Sequence, residues 1–411
     1  MEIIRQLNDL NFEDLINKIN QLSGFFVLLF FDRNHLRIFN DASGQLEVFI
    51  YRKGSRFIVA SQPHLTFPLL GAENYDVAAP RYVIEHKTTI FNKTPLQDVE
   101  KLIPNFYYDV TVSQLVRFFP LTPLIEKTSD EVAPQAAFIL EKTMESLVHR
   151  KPAAVALTGG WDSRLLFAAS LKYSENVKYF IFNHKTPEAK SDVDVARKIV
   201  AAFSKHLEVI EYDSSLLNSP SATDTATWKK DKRTQLLSAY LQRNFPGHYI
   251  VNGNVSEIAR SFYDPLPEKL SSGDICYIIG AGEGVYEKQA VENWRQTVNG
   301  HLHILDLIYW EHKMPNWAGA AKSVFNINSL VISPFNNRYL LSLLLSVPRK
   351  DRDKYFSVLH AEILKITDKK LIEIPFNPTF KHRIIALLKL TGVYPVYRKI
   401  FFRLRKLSFS S

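Results

Sequence analysis

Over residues 1–125, apolar and polar positions alternate in short runs that are separated by turn residues. The runs are rich in aromatic and β-branched residues, which favour β-strands, and Gly, Asn, Asp and Ser stand between them. We therefore predict an antiparallel β-sandwich over this region. The runs that carry this prediction are GFFVLLFFD, HLRIFND, LEVFIYRKG and RFIVAS.

From residue 126 the pattern changes to alternating helices and buried strands. Apolar positions at helical spacing predict a helix over SDEVAPQAAFILEKTMESLVHR, with Ser129 or Asp130 as N-cap. Strands, each separated from the next by a helix, are predicted at AAVAL, VKYFIFN and LEVIEYD, and a fourth buried strand at HYIVNGN. Such alternation predicts a parallel sheet covered by helices. The chain is helical from about Glu283, so we expect a second domain over residues 126–382 and a basic tail over 383–411.

Charge and cysteine content narrow the functional classes. The 411 residues carry a net charge of +9, which suits a nucleotide, a nucleic acid or an anionic membrane surface as partner. A single cysteine, Cys276, excludes an intrachain disulfide and a cysteine-rich zinc site. Because MEIIRQLNDL lacks the pattern of a signal peptide and no apolar run is long enough to span a bilayer, we predict a cytoplasmic protein.

The most informative stretch is AAVALTGGWDSRLLFAASL, residues 153–171. A strand that ends at Thr158 and two glycines and then feeds a helix directs backbone N–H groups and the positive helix end to one point, which is an anion site. The hydroxyls of Thr158 and Ser163 suit phosphate oxygens. Asp162 would repel phosphate unless a magnesium ion lies between them. The alternative is an ordinary glycine turn that caps a helix.

The string TGGWDSR resembles the SGGxDS pyrophosphate loop of the N-type ATP pyrophosphatases, also called PP-loop enzymes, and most closely that of the asparagine synthetase family. Four other stretches resemble this family in the same order. They are the N-terminal strands through IFNKTPLQDVEKLIPNFYYDV, KSDVDVARKIVAAFSKHLEVIEYD, VNGNVSEIARSFY, and SLVISPFNNRYLLSLLLSVPRKDR. The resemblance implies a degenerate glutaminase-like sandwich of the Ntn type, followed by a PP-loop ATP pyrophosphatase domain.

The resemblance implies an ATP-dependent, AMP-forming ligase. Such an enzyme adenylates a carboxylate, releases pyrophosphate and transfers ammonia or an amine, with ATP and Mg²⁺ as cofactors. The resemblance implies that magnesium is bound by Asp162 and Glu257, and that Asn252 and Gly253 border the nucleotide. It further implies that Phe182 or Asn183 lies at the edge of adenine, and that Arg352 or Lys350 binds the pyrophosphate. The residues implied to contact phosphate are Thr158, Gly159, Gly160, Asp162, Ser163 and Arg164.

Two departures from the family pattern change these expectations. Glu2 stands where the family glutaminase has its nucleophilic cysteine, so we expect no glutamine hydrolysis. Nitrogen would come from ammonia, from a separate glutaminase, or from a substrate amine, as in β-lactam synthetases and lasso-peptide cyclases. Asn254 replaces an acidic residue of the catalytic region, and Ser261-Phe262 replaces two glycines, which points to a different carboxylate substrate or to weakened chemistry.

Two other functions remain open at this point: a non-catalytic, nucleotide-binding descendant of the family, and a tRNA-modifying PP-loop enzyme. For the leading hypothesis we expect no nucleic acid partner. The tail alternates cationic and apolar residues, which is compatible with docking onto the enzyme body or with peripheral contact to a membrane. Asp192 is expected to act only as a helix N-cap.

Overall fold

A computed structural model describes residues 10–32, 34–70, 74–213, 215, 227–229, 231–263, 269–376, 384–385, 387–389 and 391–409. Glu2 and residue 383, where the predicted tail begins, lie outside these ranges. The described chain is a mixed α/β structure in which antiparallel sheets are followed by a five-stranded parallel sheet and many helices. The predicted combination of an antiparallel region and a parallel region is therefore confirmed.

The N-terminal strands form two antiparallel sheets with the orders β1-β2-β6-β7 and β4-β3-β5. Side chains of both sheets, such as Ile38 and Ile50, meet in one core. Helical residues from much later in the chain, including Cys276 and Trp294, complete that core. The strands are β1 (Val27–Asp32), β2 (His35–Asn40), β3 (Phe49–Lys53), β4 (Arg56–Ala60), β5 (Val99–Lys101), β6 (Phe106–Asp109) and β7 (Gln114–Arg117).

The second sheet is parallel throughout and has the order β10-β9-β8-β11-β12. In its centre, Val155 is paired with Tyr179 on one side and with Val251 on the other. Alternate residues of these strands enter two different cores, because successive side chains of a strand point to opposite faces. The strands are β8 (Ala153–Ala156), β9 (Val177–Asn183), β10 (Leu207–Glu211), β11 (Tyr249–Val251) and β12 (Val331–Ile332).

Helices cover both faces of the parallel sheet. Helices α4, α5 and α13 pack together on one face, and α7 contributes Leu241 to the core on the other. None of the described helices is both long and apolar enough to cross a bilayer. The α-helices are α1 (Phe12–Gln21), α2 (Phe67–Leu70), α3 (Arg81–Glu85), α4 (Ser129–Val148), α5 (Trp161–Ser170), α6 (Pro187–Ala202), α7 (Lys232–Asn244), α8 (Ser272–Ile279), α9 (Val285–Arg295), α10 (Ile304–Ile308), α11 (Ala320–Phe325), α12 (Arg338–Leu345), α13 (Val358–Thr367), α14 (Lys370–Glu373) and α15 (Tyr394–Phe409).

Two helix starts differ from the predicted ones. The N-cap of α4 is Thr128, whose backbone N–H donates to Glu131 at 2.7 Å, so the cap lies one residue earlier than predicted. Helix α6 begins at Pro187 after the N-cap Thr186, because proline is well suited to the first turn. Asp192 therefore lies inside the helix, and its side chain is available for a contact other than capping.

Candidate functional site

The candidate site lies where the strand order of the parallel sheet reverses. From β8 the chain continues outward through β9 and β10, whereas β11 and β12 lie on the other side of β8. Ligands of open α/β sheets bind in the crevice at such a switch point, outside the carboxyl ends of the strands. The TGG loop (residues 158–163) follows β8 here, and the NGN loop (residues 252–257) follows β11.

The two loops are in direct contact through Gly253. A Cβ atom at this position would lie 2.7 Å from the Asp162 Cβ and 3.3 Å from the backbone nitrogen of Ser163. No side chain fits such a gap, so glycine is required by the close approach of the two backbones. Beside it, the Asn252 side chain accepts a hydrogen bond from the Asn254 N–H at 3.3 Å, which closes a local turn. Two of the residues predicted to border the nucleotide, Asn252 and Gly253, thus lie against the predicted phosphate loop.

Hydroxyl groups hold the TGG loop in shape. The Ser163 Oγ accepts from the Thr158 N–H at 3.0 Å and lies 3.0 Å from the Thr158 Oγ1. The Thr158 Oγ1 in turn accepts from the Gly160 N–H at 3.3 Å. We expected bare backbone donors at this turn, but in this structure side-chain oxygens accept from these N–H groups. A phosphate would have to replace these internal bonds.

Asp192 was missed as a site residue. Its Oδ1 accepts from the Gly159 N–H at 3.1 Å, although 33 residues separate the two in the sequence. An anionic oxygen is thus already bound at the glycine turn, as expected of an anion site. In the sequence, the acidic residues Asp192 and Asp194 stand near the predicted start of a helix. Capping of that helix accounts for Asp192 without a role in the site.

Asp162 is the centre of a polar cluster. The guanidinium of Arg260 lies 3.0 Å from its Oδ2, and the Ser256 hydroxyl donates to its Oδ1 at 2.5 Å. The buried His360 Nε2 lies 3.9 Å from Oδ1, and burial together with the charge of Arg260 lowers the pKa of His360 to about 3, so the ring is neutral. No sequence pattern pointed to His360.

Glu257 interacts electrostatically with Asp162. Burial, and next the negative charge of Asp162, raise the pKa of Glu257 well above that of a free glutamate. Around Asp162, three buried polar atoms have no hydrogen-bond partner among the residues that the structure describes: Glu257 Oε2, Arg260 Nε and His360 Nε2. Unpartnered buried polar atoms are rare and point to a missing ligand or water. Two carboxylates that repel each other fit a divalent cation, which would relieve the repulsion.

The backbone before Glu257 is strained. Val255 has φ +80° and ψ −34°, and it is fully buried. A β-branched residue rarely adopts positive φ, and such strain occurs mainly at functional sites, where surrounding contacts enforce it. The strained turn leads directly into Ser256, whose hydroxyl donates to Asp162, and no pattern in the sequence indicates this strain.

Arg164, for which the sequence predicts a phosphate contact, is directed into the protein interior. Its guanidinium is fully buried and donates to the carbonyls of Leu371 (2.7 Å), Ile374 (2.6 Å) and Pro375 (2.8 Å). It also stacks 3.7 Å from the ring centroid of Phe376. Through its two terminal nitrogens, Arg164 holds the segment after α14 against α5.

Arg352, for which the sequence predicts a grip on pyrophosphate, is held by interior contacts of the same kind in this structure. Its guanidinium is buried and donates to the Val347 carbonyl (2.6 Å), the Ala259 carbonyl (2.9 Å) and the Asp306 carboxylate (2.9 Å). Arg352 therefore stabilises the short helical turn that follows the NGN loop, through the Ala259 carbonyl. The alternative candidate, Lys350, is exposed. Among the residues that the structure describes, Arg260 is a cation in direct contact with Asp162.

Other predicted residues lie at the rim. Phe182, at the end of β9, is half-buried in ring contact with Phe180 and Tyr240, and the Asn183 amide donates to Glu211 at 3.0 Å. These contacts fix both side chains at the end of β9, and an adenine contact by either residue stays a prediction.

Ser261 and Phe262, which differ from the sequence pattern of the asparagine synthetase family, both make defined contacts. The Ser261 hydroxyl donates to the Arg349 carbonyl at 2.8 Å, and the Phe262 ring packs 4.6 Å from that of Tyr309. Phe262 and Tyr309 thus form an aromatic wall at the position where the resembling family pattern has two glycines.

The cluster around Asp162 offers few metal ligands. Within the described ranges, no group of three or more His, Cys, Asp or Glu side chains is arranged to hold a metal ion by itself. Magnesium is usually held by one or two carboxylates together with substrate phosphates, so Asp162 and Glu257 remain a suitable pair. No model of a known protein family matches the chain, and no curated protein sequence is significantly similar to it.

Proposed function

We propose that this protein is an ATP-dependent ligase that adenylates a carboxylate, releases pyrophosphate and joins ammonia or an amine to the acyl group. The observation that carries the proposal is the contact between the TGG and NGN loops at the switch point, which sets Asp162 against Gly253 and Glu257. The proposal includes the finer fold assignment, a glutaminase-like sandwich followed by a PP-loop domain. It places the enzyme in the cytoplasm, where ATP is available.

Phosphate binding is assigned to the TGG loop. The N–H groups of Gly159 and Gly160 and the hydroxyls of Thr158 and Ser163 would exchange their internal bonds for phosphate oxygens. Asp162 and Glu257 would hold the magnesium ion, which would neutralise the phosphates and stabilise the charge that develops on the leaving pyrophosphate. Fixed donors at this point lower the barrier because they need no rearrangement during the reaction.

Arg260 replaces Arg352 as the proposed cation for pyrophosphate. In this structure it neutralises Asp162, and a metal at Asp162 would leave its guanidinium unpaired beside the phosphates. A guanidinium binds phosphate with two parallel hydrogen bonds. Arg260 follows the NGN loop in the sequence, between Glu257 and Phe262, and would lie between the nucleotide and the carboxylate substrate in this proposal.

The nitrogen donor is proposed to be ammonia or a substrate amine. The only thiol in the sequence, Cys276, is buried in the core between the sheets and the later helices. Burial raises the pKa of Cys276 to about 11, so the thiolate needed for glutamine hydrolysis is absent at neutral pH.

A calorimetric titration tests the nucleotide site. We expect magnesium-ATP and magnesium-pyrophosphate both to bind, and Asp162→Asn to weaken each at least roughly tenfold, since one charge-assisted contact is worth that much. Asp194→Asn is the matched control, because Asp194 is exposed and pairs only with Arg197 across 3.8 Å. Absence of binding by the native protein, or equal losses in both variants, would remove the proposal.

A non-catalytic nucleotide-binding protein is the second candidate. It is favoured by the internal satisfaction of the TGG loop and by the Asp162–Arg260 ion pair, both of which a nucleotide must displace. Pyrophosphate release from ATP in the presence of a panel of carboxylates and ammonium distinguishes the two. Binding without release for every carboxylate would favour this candidate.

A further inference from the structure

Among the described side chains of the C-terminal helix α15, those that are buried against the body of the protein are Tyr394 and Phe402. The Phe402 ring packs 5.2 Å from that of Tyr277 in α8. Just before the helix, Lys389 forms an ion pair with Asp353. The helix is therefore held in a defined orientation, and its other face is directed away from the protein.

That outer face is apolar. Its residues recur at spacings of three and four, which places them on one side of a helix. Each of them exposes between 44% and 61% of its surface. Two further apolar residues just upstream, Ile384 and Leu387, are exposed by 44% and 62%. The members of this stripe, which we call the outer stripe, are Val393, Val396, Tyr397, Ile400 and Leu404.

The positive charge of the protein is concentrated in the same segment. Residues 374–411 contain eight of the lysines and arginines and none of the 42 aspartates and glutamates. This segment therefore has a net charge of +8 out of +9 for the whole chain, and the rest is almost neutral. A uniformly cationic segment that also presents an apolar stripe matches a surface with negative charge outside and hydrocarbon beneath.

We propose that helix α15, together with Ile384 and Leu387, binds the surface of an anionic lipid bilayer. The outer stripe enters the boundary between headgroups and acyl chains, and the cations contact lipid phosphates. This mode lies in the plane of the membrane and does not need a spanning helix. The inference is independent of the ligase proposal.

Two other occupants fit less well. RNA would satisfy the cations but would leave the aliphatic side chains of Ile400 and Leu404 in water, since single strands bind through charge and stacking on aromatic rings. A second copy of this chain would cover the stripe but would bring two copies of residues 374–411, each of charge +8, close together at a cost in repulsion.

Co-sedimentation of the full chain with vesicles tests the proposal. We expect at least roughly tenfold stronger binding to phosphatidylcholine vesicles containing phosphatidylglycerol than to pure phosphatidylcholine, and weaker binding as salt rises. The double variant Ile400→Glu, Leu404→Glu should lose at least roughly tenfold of this binding, because it places charge in the inserted face. The charge-matched control is Val77→Glu, Val285→Glu, which changes two valines that are 104% and 87% exposed elsewhere.

Circular dichroism and thermal unfolding establish that both double variants are folded. The proposal is overturned if the native chain prefers neither vesicle, or if the control loses as much binding as the stripe variant. It is also overturned if single-stranded RNA binds the native and stripe variants equally and displaces both from vesicles. Light scattering that shows a dimer which only the stripe variant dissociates would assign the stripe to a subunit interface instead.

Discussion

Asp162 and Arg260 form an ion pair of 3.0 Å at the junction of the two loops, and each side chain exposes only 15% of its surface. The pair joins the first turn of α5 to the residue that ends the short helical turn Ser256–Ala259. In this arrangement the predicted metal ligand is neutralised by a side chain of the protein itself. We therefore expect a metal ion that binds Asp162 to release Arg260 from this ion pair.

Replacing Arg260 tests whether Asp162 can bind a metal ion in place of its ion pair with Arg260. Without metal, Arg260→Gln leaves a largely buried carboxylate with only the Ser256 hydrogen bond, and we expect a loss of about 1–3 kcal/mol in the free energy of unfolding. Saturating MgCl₂ should raise the melting temperature of this variant more than that of the native protein, because the cation takes the place of Arg260. The control Arg197→Gln breaks an exposed pair of 3.8 Å and should change neither quantity. An equal effect of magnesium on all three proteins would contradict metal binding at Asp162.

Gly253→Ala tests the contact between the loops. Its Cβ would meet the Asp162 Cβ at 2.7 Å, so the loops must move apart, at an expected cost of about 1–3 kcal/mol. The comparison is Gly160→Ala, whose Cβ would find its nearest neighbour at an ordinary 3.5 Å and which should cost only about 0.5 kcal/mol as a change of N-cap. Urea unfolding measures both. If the two variants lose equal stability, the close approach is not a constraint.

Arg352 is expected to act on stability rather than on pyrophosphate. Arg352→Met leaves the buried Asp306 with Arg349 as its remaining partner, and we expect a loss of about 3 kcal/mol, at the lower end of the range for broken buried pairs. Lys350→Met at the exposed neighbouring position should stay within about 0.5 kcal/mol. A variant of Arg352 that keeps its melting temperature but loses affinity for magnesium-pyrophosphate would restore the role predicted from the sequence.

His312 provides a pH dependence far from the loops. Burial, and next the charge of Lys313, lower its pKa to about 3 from an ordinary value of 6.5. Between these values the unfolded chain binds a proton that the folded chain does not, so stability is present above pH 6.5 and is lost as the pH falls toward 3. His312→Leu should remove up to about 1.4 kcal/mol per pH unit of this slope, compared with the exposed control His149→Leu. Identical slopes in both variants would show that His312 does not titrate in this way.

Local patterns in the sequence determined the strands, most of the helices and the position of the glycine turn. Apolar residues that recur with a period of two or of 3.6 indicate which face of a strand or helix is buried. Glycine and hydroxyl residues after a buried run indicate a tight turn. Strand β9 has the bounds that its apolar run predicted, Val177–Asn183. Thr158 and Gly253 were each placed at the end of a strand, and parallel pairing then brought them to the same edge of the sheet.

Only the tertiary structure decided what the long charged side chains do. Arg164 and Arg352 look alike in a linear sequence, as cations near phosphate motifs, but carbonyls about 207 and 93 residues away hold them in the interior. Asp192 and His360 reach the site from α6 and α13, and Arg260 pairs with Asp162, for the same reason. A flexible side chain is directed by partners that folding brings near it, and their identity is not written in the residues beside it.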